Sequence, residues 1–299
     1  VQERAELVGH HAQLLVQLVV NVVEQKPAHL HRRLVAQLEK GRDERLKLQR
    51  HVEERLAELA QFNGKHDPGA VPAEGPGLEL WRTDGTSAGT RLVKDIRPGG
   101  SSSNPRDKAN INGTLYFSAD DGTNGKELWR SDGTEAGTVM VKDINPGGSG
   151  LGDSQNIVGL NGVVLFTASN GSDGYELWKT DGTESGTSMV KDINPGSGSS
   201  NIGDGIIIGG TYLFVARDGG YGYELWKTDG TAAGTALVKD IYPGASGSSL
   251  REMVDFNGTL FFRATNGTHG EELWKSDGTE AGTVMVRDIF PGTSSGSPN

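Results

Sequence analysis

The chain has 299 residues, with 29 Lys and Arg against 39 Asp and Glu, a formal net charge of −10, and no cysteine. That length suffices for a sizeable core, and the missing thiols exclude both a disulfide framework and a thiolate metal centre. Residues 1–63 hold 10 Lys and Arg and 9 Asp and Glu, so the negative charge falls on the remainder, where an acidic surface repels phosphate backbones and excludes nucleic acid as a partner.

From Gln2 to Gln25 apolar residues recur at Leu7, Val8, Leu14, Leu15, Leu18, Val19, Val22 and Val23, the spacing of an amphipathic helix. Pro27 interrupts it. A second helical pattern over 28–62 sets Leu30, Leu34, Leu38, Leu48, Val52, Leu56 and Leu59 on one stripe. Residues 1–62 therefore predict a helical hairpin or coiled-coil segment, with 2–62 suited to homo-oligomer formation. The most apolar run, Leu14 to Val23, is about half of a bilayer span and contains Gln17 and Asn21, so no membrane span is expected. No basic segment precedes an apolar core near Val1, and no signal peptide is read.

Residues 63–78 are rich in Pro and Gly and read as a linker. Beyond it, over 79–299, Glu-Leu-Trp recurs at Glu79, Glu127, Glu176, Glu224 and Glu272, spaced 48, 49, 48 and 48 residues apart. A period of that size with several strand signals per copy predicts a mainly β fold, a β-propeller of about five four-stranded blades. In the copy over 155–194 the strands are a (157–160), b (163–168), c (176–180) and d (187–193), with Asn161-Gly162 as a hairpin turn between a and b. Strand b is apolar on both faces, as a blade sandwiched between neighbours requires. The Lys-Asp-Ile that ends strand d is expected to protect the outer edge with charge. Five c–d hairpins are present but only four complete a–b hairpins, at Asn112, Asn161, Gly209 and Asn257.

Asp84, Asp132, Asp181, Asp229 and Asp277 fall at the c–d turns, where a carboxylate can accept backbone N–H bonds, and Gly85 and Gly89 are expected to supply positive φ. The tryptophans, Trp81, Trp129, Trp178, Trp226 and Trp274, are expected to fill the gaps between blades and to bond a carbonyl through the indole N–H. The unit Glu-Leu-Trp-x-x-Asp-Gly-Thr-x-x-Gly-Thr, followed by Val-Lys-Asp-Ile and Pro-Gly, resembles the ELWxxDGT-repeat family over residues 79–299. The resemblance implies a bacterial propeller in an extracellular or cell-surface setting, and no particular activity. In repeat length and number the chain is also similar to tachylectin-type five-bladed lectins.

In a propeller the b–c loops and d–a connections share one end of the ring. Here the b–c loops (120–126, 170–175, 218–223 and 266–271) and the Ser/Gly-rich connections are long, and loops on a rigid scaffold are where recognition concentrates. Tyr175, Tyr221, Tyr223, His269, Arg217, Asp173 and Asp218 are the candidate ligand contacts, because aromatic faces beside polar groups match the apolar faces and hydroxyls of sugars. Asp120, Asp121, Asp173 and Asp218 also offer hard oxygen donors to calcium, although the loops lack a full calcium-binding pattern. No other cofactor is expected.

Catalysis finds no support in the motifs. His10, His11, His29, His31 and His51 do not pair on one helical face, His66 and His269 stand singly, and neither a Gly-x-Ser-x-Gly nor a phosphate loop occurs. The sequence thus predicts a non-enzymatic binding or adhesion module whose loop face recognises glycans or a protein partner. The alternatives are a structural subunit joined through its helices and a propeller enzyme with a metal in its central channel.

Overall fold

The computed structural model describes residues 76–152, 156–289, 291–293 and 295. The expected helical segment, its histidines and most of the linker lie outside the described residues. The described residues fall in one compact unit, which contains every strand given below.

Each repeat builds one antiparallel sheet. The first sheet has two strands, β1 (Leu80–Arg82) and β2 (Arg91–Lys94). The second has four, β3 (Arg106–Ile111), β4 (Thr114–Asp120), β5 (Lys126–Ser131) and β6 (Val139–Lys142). The third comprises β7 (Val158–Leu160), β8 (Val163–Ala168), β9 (Glu176–Thr180) and β10 (Ser188–Lys191). The fourth comprises β11 (Gly205–Ile208), β12 (Thr211–Arg217), β13 (Tyr223–Thr228) and β14 (Ala236–Lys239). The fifth comprises β15 (Arg251–Phe256), β16 (Thr259–Ala264), β17 (Glu272–Ser276) and β18 (Val284–Arg287). The fold is thus mainly β and propeller-like, with strands in the order a-b-c-d within each complete sheet. Among the described residues no helix is long and apolar enough to cross a membrane.

Local sequence explains the hairpins. At the a–b turn of the third sheet Asn161 and Gly162 have φ of 49° and 86°, the pair of positive angles that a type I′ turn demands. Across the c–d turn, Asp181 Oδ1 accepts the Thr183 amide at 2.8 Å and the Thr183 hydroxyl at 2.6 Å. Gly186, the later glycine of that turn, is needed for a different reason from the expected one. It is absent from the positive-φ positions, and a Cβ there would collide with the Asp181 carboxylate, as it would at Gly89 against Asp84.

Consecutive sheets pack face to face through strand b. Leu128, Val141 and Ile144 of the second sheet bury against Val164, Phe166, Ala168 and Trp178 of the third. The same arrangement joins the third to the fourth, with Trp226, and the fourth to the fifth, with Trp274. Phe117, Phe166, Phe214 and Phe262 are at most 1 % exposed, each opposite the tryptophan of its own sheet. Full burial of an aromatic side chain of that size stabilises a fold by roughly 3 kcal/mol. The inner strands adjoin as well, β3 beside β7 and β11 beside β15.

Two details depart from the sequence reading. The d-strand lysines do not guard an open edge: Lys94, Lys142, Lys191 and Lys239 reach the next sheet, where each Nζ donates to the carbonyl of Thr138, Thr187, Thr235 or Thr283 at 2.8–3.0 Å. They are ties between blades, 44 or 45 residues apart in sequence. Of the indole N–H groups, that of Trp274 donates to the Ala264 carbonyl at 3.0 Å, whereas those of Trp129, Trp178 and Trp226 are buried with no hydrogen-bond partner.

Candidate functional site

The glutamate of each Glu-Leu-Trp is buried at the start of strand c and organises the loop end of its sheet. Glu176 accepts the amides of Ile193 at 2.7 Å and Ser200 at 2.8 Å, which pulls the chain out of strand d early and closes the d–a connection over the carboxylate. Strand d of that sheet therefore ends at Lys191, two residues sooner than the sequence pattern implies. The second and fourth sheets repeat this clamp, Glu127 holding Ile144 and Gly150, and Glu224 holding Ile241 and Ser248. In the first sheet Glu79 holds Ile96 and Ser103, and Leu78 joins the arrangement by donating to Ser102 Oγ at 2.8 Å, so it belongs with the repeat and not with the linker. Glu272 accepts the Ile289 amide in the fifth.

Burial pushes the carboxyls of Glu127, Glu176 and Glu224 up to about 7, against the downward pull of the amides that they accept. The turn aspartates move the other way. The hydroxyl and amide of the threonine two residues on hold Asp84, Asp132, Asp181, Asp229 and Asp277 below the ordinary carboxylate value.

Each clamped connection also reaches the following sheet. Ser200, held by Glu176, accepts the Arg217 amide through its carbonyl at 2.9 Å, and the equivalent carbonyls of Ser103, Gly150 and Ser248 accept from Asp120, Ser169 and Thr265. The loop end is thus built of connections that each span two sheets.

The junction between the third and fourth sheets assembles most of the candidate ligand contacts. The amide of Tyr175 donates to Ser199 Oγ at 3.0 Å, and its carbonyl accepts Ser200. Asn201, held at a φ of 44°, donates its side-chain amide to the Tyr223 hydroxyl at 3.0 Å. Tyr223 stands directly across the ladder from Arg217, and between them Asp218 Oδ1 caps its own loop through the amides of Gly220 and Tyr221, both at 2.9 Å. Tyr221 and Tyr223 are 45 % and 39 % exposed, whereas Tyr212, the tyrosine of the adjacent strand, is buried. The result is a hydrogen-bonded loop with two exposed tyrosines and an exposed asparagine beside it.

Asp173 sits in the b–c loop of the third sheet, bonded to Asn170 at 2.7 Å and to Ser172, and His269 sits in that of the fifth, packed into a turn with Asn266. Asp120 caps the Gly122 amide and pairs with Arg97 at 3.1 Å. Asp121 receives Thr123, Asn124 and the Asn124 side chain. The four calcium candidates therefore lie in three separate loops, Asp120, Asp121 and Asp218 capping backbone amides and Asp173 bonded to the side chains of Asn170 and Ser172, and among the described residues no group of three His, Asp, Glu or Cys is placed to hold a metal ion. Arg251 pairs with Glu271, which also binds Arg263 at 2.7 Å.

The sequence reading marked the repeats by the clamp glutamates but gave them no role, and it did not single out Asn201. Glu127, Glu176 and Glu224 occupy the same place in every copy, and a charged residue that never varies between copies, set between apolar strands, is the signal that could have marked them. Asn201 has no such signal, because its role comes from a left-handed backbone within a Ser/Gly-rich run.

No family model matches the chain, and no curated protein matches it. Solved structures resemble it at low identity. One is from a structural and mechanistic study of two prolyl endopeptidases, with 13 % identity and a TM-score of 0.43 over 74 % of this chain and 32 % of that one. Another is the computationally designed Ika8 protein, with 15 % identity and a TM-score of 0.37 over 70 % of this chain and 57 % of the other. A puromycin-hydrolyzing peptidase from Mycobacterium tuberculosis aligns at 10 % identity and a TM-score of 0.40, over 71 % and 32 % of the two chains. The chain thus spans about a third of the two peptidases and somewhat over half of the designed protein.

Proposed function

We propose that the chain is a non-enzymatic binding or adhesion module that recognises glycans on the loop face between its third and fourth sheets. The observation that carries this reading is the exposure of Tyr221 and Tyr223 on a loop fixed by Asp218, with the Asn201 amide at the Tyr223 hydroxyl. Rings that would normally be buried are held in water by a rigid frame, so a ligand with one apolar face and hydroxyls at its rim gains contact without ordering the loop. The other junctions use the same frame with different side chains, Arg97 with Asp120 at the first and the Asn266–His269 turn at the last. The sites along the array are therefore unequal in chemistry, and a glycan with several epitopes would engage them with added avidity. The resemblance to the ELWxxDGT-repeat family supports an extracellular or cell-surface setting for such a role.

The test is retention of the whole chain on immobilised chitin, mannan and xylan, compared with the double variant Tyr221→Ala, Tyr223→Ala. The reading expects retention on at least one polysaccharide, lost in the double variant with an unchanged melting temperature. Retention that survives both substitutions would remove these tyrosines from the site.

A further inference from the structure

We infer that the glycan of the proposed loop face is an acidic one, a polysaccharide of uronic acid units whose carboxylate is bound by Arg217; this rests on the glycan reading above and narrows it. Arg217 ends β12 directly across the ladder from Tyr223. Residues opposed in this way carry their side chains on one face of the sheet, with Cβ atoms about 5 Å apart, so the guanidinium and the Tyr223 ring share a face. The amide of Arg217 donates to the Ser200 carbonyl, and the residue after Ser200, Asn201, donates to the Tyr223 hydroxyl at 3.0 Å. A cation, an aromatic ring and an amide side chain therefore meet within one junction.

The sister junctions balance charge where this one does not. In each, the residue after the clamped isoleucine packs against the b–c loop of the next sheet: a Cβ added at Gly122, Gly171, Gly219 or Gly267 would strike Arg97, Asn145, Asn194 or Tyr242. The residue at the end of strand b in that next sheet is Asp120, Ser169, Arg217 or Thr265, each donating its amide to the preceding connection. At the first junction these two positions carry opposite charges, and Arg97 pairs with Asp120 at 3.1 Å. The second and fourth are neutral at both, with Asn145 and Ser169, and with Tyr242 and Thr265. The third has Arg217 in the place of Asp120, and in the place of Arg97 it has Asn194, buried and committed through its amide to the Ser199 carbonyl at 2.9 Å. Asp218, the next acid along the chain, turns Oδ1 to the amides of its own loop. Among the described residues no carboxylate pairs with Arg217, and its Nε is buried with no hydrogen-bond partner.

Arg217 as a whole is partly exposed. A guanidinium that no acceptor of its own chain holds is open to an outside one, and a carboxylate matches its planar fork with two parallel bonds. A uronic acid unit brings that carboxylate on the rim of a pyranose whose apolar face can lie on a tyrosine ring, so one unit satisfies both groups at once. The formal charge of −10 opposes the approach of a polyanion, but at physiological salt such a field is screened within about 8 Å and the local pair decides. Because the chain as a whole repels a polyanion, retention of one reports a local cation and not bulk ion exchange.

The experiment measures retention of the whole chain, at physiological ionic strength and with a chelator present, on immobilised polygalacturonate, alginate and hyaluronan. Each is set beside its methyl-esterified form, which keeps the ring and removes the charge. The chain is expected to hold at least one acid form about tenfold or more tightly than its ester. Arg217→Met should abolish that preference with an unchanged melting temperature, and Arg217→Lys should keep part of it. Equal retention of acid and ester by the parent chain, or a preference that survives Arg217→Met, overturns the inference. Retention on neutral polysaccharides alone, lost in the double variant Tyr221→Ala, Tyr223→Ala, overturns it and leaves the glycan reading standing. No retention on any polysaccharide overturns both.

Discussion

Replacing Glu224 with glutamine should make the cost of the substitution depend on pH, and the direction of that dependence follows from the burial of the carboxyl. Glu224 is fully buried at the head of β13, accepting the amides of Ile241 and Ser248 at 3.0 Å, and its carboxyl is pushed up to about 7 from an ordinary 4.5. A carboxyl with a raised folded value takes up a proton on folding between those limits, so its contribution to stability falls as pH rises from 4.5 to about 7. Ionisation then weighs against the folded chain by about 3 kcal/mol at about pH 8 and by about 1 kcal/mol at about pH 5.5. Glutamine does not titrate. It keeps one acceptor but turns a donor toward one of the amides, a cost of about 1–3 kcal/mol that is the same at both pH values. The difference in stability between parent and Glu224→Gln should therefore be about 2 kcal/mol larger at about pH 5.5 than at about pH 8. Urea unfolding followed by tryptophan fluorescence at the two pH values measures it. A difference that does not change with pH, or one that grows toward pH 8, would refute the argument and mean that the amides, and not burial, set the charge state of the clamp.

Three further outcomes follow from the packing and the turns. Phe214→Ala removes a ring that is 0 % exposed between the third and fourth sheets and should cost about 3–5 kcal/mol in urea unfolding. Lys191→Met breaks the bond to the Thr235 carbonyl while keeping the apolar stem, so amide exchange should quicken around the c–d turn of the fourth sheet with little change elsewhere. Asp181, held below its ordinary 3.8 by the Thr183 hydroxyl and amide, stabilises the fold above that value and loses the contribution as pH falls through its folded pKa; Asp181→Ala should lower the melting temperature at neutral pH and blunt its drop in acid.

The repeating tryptophans and the Asn-Gly pairs made the sheets legible, since both record local demands: a large ring between layers and two consecutive positive φ angles. The sequence holds one a–b hairpin fewer than c–d hairpins, and among the described residues the first sheet has two strands. What escaped reading is non-local. Lys142 looks like a solvated strand end until the Thr187 carbonyl, 45 residues later, is brought to it. Glu176 looks like the polar residue of an alternating strand until the folded connection brings the Ser200 amide back from 24 residues away. The candidate site was half legible: composition pointed to Tyr175, Tyr221 and Tyr223, but the Ser199–Asn201 segment that links Tyr175 to Tyr223 is a run of small residues whose meaning arises only from the clamp beneath it.

The proposal of glycan recognition is tested most directly by a glycan array probed with the whole chain, first with calcium and then with a chelator. The account predicts binding to a defined set of sugars, reduced by Tyr221→Ala with Tyr223→Ala. Because Asp120, Asp121, Asp173 and Asp218 are hydrogen-bonded within three separate loops, that binding should persist in the chelator. No binding under either condition would contradict the account.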